Sequence, residues 1–138
     1  MKQEWYEAKV KYVKTLDDGT EKKVTENYLV RGVTVSAVES RVIKELKSVI
    51  SGEFSVEAVK RASFKEFFCV DGEKFFNCKV AFVSIAEDGT EKRQKSTMLV
   101  QADTFQDALD MLEEGMKGTM SDWEICSMSE TAYKDVFN

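Results

Sequence analysis

The sequence contains no histidine, no proline and only three cysteines among its 138 residues. Histidine is the commonest general base and metal ligand at neutral pH, so its absence excludes Ser–His and Cys–His catalytic pairs. Carboxylate, lysine or tyrosine chemistry stays open, but the composition favours a protein that is not an enzyme. Without proline, strands and helices can run uninterrupted between short turns.

The three cysteines, Cys69, Cys78 and Cys126, form no C-x-x-C pair. An odd number at this spacing suits neither a disulfide framework nor a zinc site. We therefore interpret them as buried, reduced thiols of a cytosolic protein and predict neither a metal nor a cofactor.

Long apolar runs are also missing, so neither a membrane-spanning helix nor a signal peptide is expected. The first four residues, Met-Lys-Gln-Glu, already carry charge. Hydrophobic residues make up 43% and aromatic residues 11% of the chain, which is enough for a packed core. We predict one folded domain over residues 1–138, located in the cytoplasm and without membrane contact.

What the sequence does contain is an internal repeat. DDGTEKK at 17–23 returns as EDGTEKR at 87–93, and the same shift of 70 positions aligns Thr34 with Thr104. Beyond the predicted helices the shift becomes 69 positions and aligns Phe68 with Phe137. We therefore place repeat one at residues 4–69 and repeat two at 74–138.

Each repeat has the pattern strand, turn, strand, helix, strand. Asp-Gly predicts a hairpin tip between the first two strands, and alternation places one set of apolar residues on a buried face. Helical spacing follows, with capping boxes expected at Ser36-x-x-Glu39 and Thr104-x-x-Asp107. The closing strands are predicted at 54–62 and 123–128, followed by short amphipathic tails at 64–68 and 133–137. The alternating residues are Tyr6, Ala8, Val10 and Tyr12 in repeat one, and Phe76, Cys78, Val80 and Phe82 in repeat two.

These patterns predict an α+β fold, a tandem duplication of a ββαβ unit about a pseudo-twofold axis, with antiparallel sheets and one helix per repeat. One such repeat would leave strand edges open, so we expect the two copies to merge or pack their sheets. Repeat two also places apolar residues on its outward face, which predicts a homodimer whose interface includes Phe75 or Val83. These outward residues are Phe75, Ala81, Val83 and Ile85.

Charge divides unevenly between the halves. Residues 1–69 carry 13 basic and 11 acidic side chains, whereas residues 70–138 carry 7 and 14. A basic first half suits an anionic ligand. Solvated faces and attraction between the repeats are the favoured explanation of the division, and both interpretations stay open.

Two clusters are candidate anion-binding sites. The first is the stretch Gly115-Met116-Lys117-Gly118-Thr119, in which two glycines flank the lysine. Its main-chain N–H groups, the Lys117 ammonium and the Thr119 hydroxyl could bind a phosphate. A helix C-cap explains that stretch as well. In the second, Arg61 could stack on a base or pair with Glu130, its counterpart in repeat two. The second cluster comprises Lys60 and Arg61 with Arg41, Lys44 and Lys47 of the preceding helix.

The stretches KKVTENYLV, SGEFSVEAVKRASF, LEEGMKGTMSDWEI and the terminal DVF carry a family resemblance. Over nearly its full length the chain resembles the uncharacterised domain-of-unknown-function family DUF4494 of Bacteroidetes and their phages and mobile elements. The resemblance implies a bacterial or phage setting inside the host cytoplasm, and it transfers no catalytic residue.

We therefore predict a small non-catalytic binding protein that sequesters an anionic, nucleotide-like ligand. The alternatives are an accessory factor that binds single-stranded nucleic acid or replication proteins, and a purely structural role in protein contacts. Duplex DNA is not favoured, because the net charge is −5 and no recognition motif is present.

Overall fold

The computed structural model of the chain describes residues 2–68 and 72–138. Over these residues the fold is α+β, with two helices and two mainly antiparallel sheets, as predicted. No helix in this part of the chain is long and apolar enough to cross a membrane. In chain order the elements are β1 (Glu4–Thr15), β2 (Glu21–Gly32), α1 (Val35–Lys47), β3 (Phe54–Arg61), β4 (Glu66–Phe68), β5 (Lys74–Ile85), β6 (Glu91–Ala102), α2 (Phe105–Gly115), β7 (Asp122–Glu130) and β8 (Tyr133–Phe137).

The chain forms two compact units. Unit 1 comprises Met1–Ala62 and Ala132–Asn138, and unit 2 comprises Ser63–Thr131. The sheet of unit 1 has the strand order β3-β1-β2-β8, and that of unit 2 has the order β4-β6-β5-β7. In each sheet three strands are antiparallel and one short strand, β8 or β4, runs parallel to its neighbour.

These two short strands are exchanged between the two sequence repeats. Strand β4 follows β3 of unit 1 in the chain but pairs with β6 of unit 2, where Phe68 lies opposite Val100. Strand β8 follows β7 of unit 2 but pairs with β2 of unit 1, where Phe137 lies opposite Val30. The open edges of β2 and β6 are therefore covered by the tails of the opposite repeats, which the sequence analysis expected to finish their own halves.

The two Asp-Gly sequences form hairpin tips, as predicted. Gly19 and Gly89 have φ angles of +86° and +87°, which glycine accepts without steric cost. The side chains of Asp18 and Asp88 accept hydrogen bonds of 3.0 Å from the main-chain N–H groups of Thr20 and Thr90. Hairpin register is identical in the two units after the 70-residue shift.

Both helices begin after a threonine. Thr104 caps helix α2, as predicted, by accepting a hydrogen bond of 3.1 Å from the Asp107 N–H group. The capping box expected at Ser36 is wrong, because helix α1 already begins at Val35 and Thr34 accepts the 3.1 Å bond from Ala37. Thr34 aligns with Thr104 in the repeat, so the two helices use the same cap.

Each helix covers one face of its own sheet, and the alternating residues form the two cores. The exchanged strands contribute to them, since Phe137 packs against the core of unit 1 and Phe68 against that of unit 2. The buried residues of the unit 1 core are Tyr6, Ala8, Val10, Tyr28, Val30, Val38, Val42 and Leu46; those of the unit 2 core are Phe76, Cys78, Val80, Met98, Val100, Ala102, Ala108, Leu112 and Met116.

The apolar strip on the outward face of β5 is partly buried within the chain. Phe75 is only 4% exposed, with its ring centroid 6.1 Å from that of Phe67, and Ala81 is fully buried. Phe75 is therefore not available to a second subunit. Val83 is half-buried and Ile85 is 77% exposed, so a homodimer through Val83 stays a prediction.

The cysteines differ from one another. Cys78 is buried, as predicted, whereas Cys126 is exposed. The register of β5 and β7 shifts between Lys79 and Val80, and the partner residues pass from Ser127 to Ile125. Cys126 is the additional residue of this β-bulge, which turns it outward. Cys69 lies outside the described residues.

Candidate functional site

The first predicted cluster lies just after helix α2, where it forms a helix end. The N–H groups of Lys117 and Thr119 donate to the carbonyls of Glu114 and Met116 at 3.3 and 3.2 Å. The Lys117 ammonium lies 2.7 Å from the Glu114 carboxylate, and this partner raises the pKa of Lys117. These donors therefore already have partners in the helix end.

The flanking glycines have structural reasons of their own. Gly118 has a φ angle of +85°, in the left-handed region typical of helix C-termini. A Cβ atom on Gly115 would lie only 2.6 Å from Cε1 of the Phe68 ring, so this glycine permits the close approach of exchanged strand β4. The glycines of this stretch are explained without an anion.

Two residues of the second predicted cluster are paired with glutamates of strand β1. Lys60 lies 3.5 Å from Glu7, and Arg61 forms an ion pair with Glu4. Glu130 pairs with Lys74 at 3.4 Å. The alternative in which Arg61 pairs with Glu130 is therefore wrong. Each residue instead forms an ion pair within its own unit, and the positions of acid and base are exchanged between the two pairs.

Arg41 of helix α1 holds the end of exchanged strand β8. Its guanidinium donates to the main-chain oxygens of Phe137 at 3.2 Å and Asn138 at 2.7 Å, and lies 3.9 Å from Glu45. Lys44 and Lys47 lie in the last turn of the same helix and are exposed, where positive charge offsets the helix dipole. The two predicted clusters thus lie in different units.

Arg41→Ala is expected to destabilise unit 1 by about 1–2 kcal/mol, because hydrogen bonds from a charged donor contribute about 1.5–3 kcal/mol and this side chain is partly exposed. Chemical denaturation followed by circular dichroism measures the change. Lys44→Ala, one turn away on the same helix, is the matched control and should change stability by less than about 0.5 kcal/mol. Equal effects of the two substitutions would contradict the assigned role of Arg41.

Unit 2 contains a pocket that the sequence analysis missed, here named the lysine pocket. It has a volume of about 430 Å³ and lies where the segment before β4 passes strands β5 and β6. Three of its residues carry hydroxyl groups and three are lysines. The lining residues are Ser63, Phe64, Lys65, Lys79, Lys95, Ser96 and Thr97.

Two of these lysines have no acidic partner in the described part of the chain. Lys79 lies opposite Thr97, and Lys95 opposite Ala81, so Lys79 and Lys95 are diagonal neighbours on the sheet face away from helix α2. Among the described residues no carboxylate forms an ion pair with either one, although unit 2 contains 14 acidic residues. The ammonium of Lys65 lies 4.8 Å above the Phe82 ring instead.

Unit 1 contains a polar cluster on the helix-facing side of its sheet. The carboxylate of Glu26 accepts hydrogen bonds from the hydroxyl groups of Tyr12 and, at 3.2 Å, of Tyr28. The bond to Glu26, with some burial, raises the pKa of Tyr12 to about 12, and burial together with the charge of Glu26 raises the pKa of Tyr28. Both phenols therefore stay protonated as donors at neutral pH.

These three side chains border a cavity of about 360 Å³, here named the Glu26 cavity. Two lysines, Lys14 and Lys134, and two hydroxyl residues, Thr15 and Ser51, also line it. The apolar part of its wall is formed by Val13, Val49 and Ile50.

The Cys78 thiol and the metal-ligating residue types provide no further candidate site in the described residues. Burial raises the pKa of the Cys78 thiol to about 11, so it stays protonated at neutral pH. Within residues 2–68 and 72–138, no group of three His, Cys, Asp or Glu residues could hold a metal ion.

The comparisons with known proteins identify a family. The family model described as "Domain of unknown function (DUF4494)" matches residues 4–138, so the chain belongs to this family. No curated protein and no solved structure matches the chain.

Proposed function

We propose that the protein is a non-catalytic binding protein that takes a small, anionic, nucleotide-like ligand in the lysine pocket. The observation that carries this proposal is the pair Lys79 and Lys95, two neighbouring lysines with no acidic partner among the described residues, in a unit whose charged residues are mainly acidic. Their mutual repulsion is relieved when an anion binds between them.

The remaining groups of the lysine pocket suit a phosphate ester. Ser63, Ser96 and Thr97 provide hydroxyl donors, and hydrogen bonds to a charged oxygen are about twice as strong as those between neutral groups. Phe64 provides an aromatic surface, and its ring also contacts Phe67 with centroids 5.9 Å apart. The volume of about 430 Å³ lies within the range typical of small-molecule sites.

The double variant Lys79→Glu/Lys95→Glu is expected to weaken nucleotide binding about 100-fold or more, because two charge-assisted contacts are lost and each contributes about 1.5–3 kcal/mol. Isothermal titration calorimetry with mononucleotides and cyclic dinucleotides measures the affinity at low and at physiological salt. Lys22→Glu/Lys92→Glu is the matched control, since it changes the net charge equally at the two exposed hairpin tips.

Equal losses in both double variants would show that only the overall charge matters, and would contradict a site at Lys79 and Lys95. If none of the mononucleotides and cyclic dinucleotides binds saturably, the proposed ligand class is wrong.

A second candidate function is binding of single-stranded nucleic acid. Lys9 and Lys11 of β1 and Lys23 of β2 are exposed on the sheet face of unit 1 away from helix α1. On the same face the Arg31 guanidinium lies 5.8 Å from the centre of the Trp5 ring. Binding of oligonucleotides with steep salt dependence, and without response to mononucleotides, would favour this candidate.

We further propose that the chain arose by tandem duplication of a ββαβ unit. Support comes from the matching β-bulges at Lys9/Val10 and Lys79/Val80, and from the charge-reversed ion pairs at the matching strand ends. A pseudo-twofold axis, a homodimer, a bacterial or phage origin and a cytoplasmic location stay predictions, and a purely structural role in protein contacts remains the third alternative.

A further inference from the structure

The polar cluster of the Glu26 cavity can be compared with the matching positions of unit 2. A shift of 70 residues aligns Tyr12, Glu26 and Tyr28 with Phe82, Ser96 and Met98. Phe82 and Met98 belong to the apolar core of unit 2. The same fold therefore forms in unit 2 without a carboxylate or phenols at these positions.

A partly buried carboxylate is costly in a protein, because it loses hydration that hydrogen bonds must replace. In unit 1 the hydroxyl groups of Tyr12 and Tyr28 provide two of these bonds to Glu26. Each carboxylate oxygen has a second lone pair, so Glu26 can accept further donors from the cavity. The fold does not need this arrangement, and the cationic nitrogen of a ligand has the donors that the remaining lone pairs of Glu26 can accept.

The positive side of the Glu26 cavity also differs from unit 2. Lys14 and Lys134 line the cavity, and among the described residues neither forms an ion pair with a carboxylate. Lys134 aligns with Lys65, whose ammonium lies 4.8 Å above the Phe82 ring, and Lys14 aligns with Ser84. Two ammonium groups with no acidic partner within residues 2–68 and 72–138 suit an anionic group on the same ligand.

We propose that the Glu26 cavity binds a small zwitterion of the α-amino-acid kind, with the ligand ammonium at Glu26 and the ligand carboxylate at Lys14 and Lys134. One carboxylate and two ammonium groups in the wall match a ligand that carries both charges better than a simple anion or cation. The volume of about 360 Å³ accommodates a molecule of this size. The Glu26 cavity lies in unit 1 and the lysine pocket in unit 2, so this site does not depend on the proposed function.

The test is isothermal titration calorimetry of the full chain against the free α-amino acids, with acetate and ethanolamine as ligands of a single charge. At least one amino acid should bind saturably, and the single-charge compounds should bind roughly tenfold weaker or worse, because each lacks one of the two ionic contacts. The main variant, Tyr12→Phe/Glu26→Ser/Tyr28→Met, introduces the residues of unit 2 and should abolish binding while the chain stays folded.

Two single variants keep the test decisive if that triple variant fails to fold. Glu26→Gln and Lys134→Gln each remove one charge, and each should weaken binding about tenfold or more. Lys47→Gln, an exposed lysine outside the cavity, is the matched control and should bind as the wild type does. The proposal is overturned if no amino acid binds, if acetate alone binds equally well, or if the two cavity variants behave like Lys47→Gln.

Discussion

A chain that ends after Thr131 is expected to lose the stable fold of unit 1. It lacks strand β8, so β2 becomes an open edge and the Phe137 ring no longer stacks on Tyr28, 5.3 Å away between centroids. Truncating a fully buried phenylalanine costs about 3–5 kcal/mol, and the loss of partly buried Phe137 costs a share of this, out of a typical domain stability of about 5–15 kcal/mol. The hydrogen bonds from Arg41 and from the Tyr133 hydroxyl to Glu7 are lost in addition.

Amide hydrogen exchange measures this effect residue by residue. Protection should fall across strands β1 to β3, for example at Ala8 and Val10, and should fall far less in unit 2, which keeps all four of its strands. Asp135→Ala changes an exposed residue of the same strand and should leave the protection pattern unchanged. Full protection of unit 1 in the shortened chain would show that β8 contributes little to its stability.

After cleavage of the chain between the two repeats, the two fragments are expected to remain associated. A protease site inserted after Val70 would yield one fragment with strands β1 to β4 and another with β5 to β8. Each fragment supplies one strand to a sheet formed otherwise by the other fragment. The two fragments should therefore elute together from a size-exclusion column and separate only in denaturant.

The matched control is the same cleaved chain with Phe68→Ala and Phe137→Ala, which weakens both exchanged strands. That variant should dissociate on dilution, because each truncation removes the contacts of a partly buried phenylalanine with one core and the two losses add. If the unsubstituted fragments separate under native conditions, the strand exchange is too weak to hold the chain together.

The local elements could be predicted because their causes are local. The turn of Asp18-Gly19 needs only a residue that accepts a positive φ, and the alternation of Tyr6, Ala8 and Val10 records which face is buried. The cap at Thr34 could also have been found, since it aligns with Thr104. The turn, the alternation and the cap each depend on residues that lie close together in the sequence.

The strand exchange could not be predicted from the same patterns. Strands β2 and β6 carry the same Leu-Val sequence at Leu29-Val30 and Leu99-Val100, so their open edges are chemically equivalent. A tail that ends in phenylalanine fits either edge, and the hydrophobic pattern does not distinguish its own repeat from the other. Which edge each tail pairs with depends on the three-dimensional path of the chain, and the hydrophobic pattern does not specify that path.

The candidate sites show the same limit. Residue types identified Lys60, Arg61 and Arg41 as cations, but their partners Glu7, Glu4 and the end of β8 depend on pairing between distant segments. Part of the lysine pocket could have been predicted, because the hairpin register alone places Lys79 and Lys95 on one face of the sheet. Its hydroxyl group at Ser63 comes from the segment before β4, whose position the sequence did not reveal.

The strand exchange has a consequence for how the chain folds during synthesis. Strand β8 begins about 100 residues after the end of strand β2, its partner in unit 1. A ribosome that adds about 5–20 residues per second therefore needs about 5–20 seconds to supply this last strand. During that interval the nascent unit 1 has an open β2 edge, which other strands or a chaperone can bind. The N-terminal unit is thus the last to be completed, and a chain released too early leaves a recognisable, unpaired edge for cellular quality control.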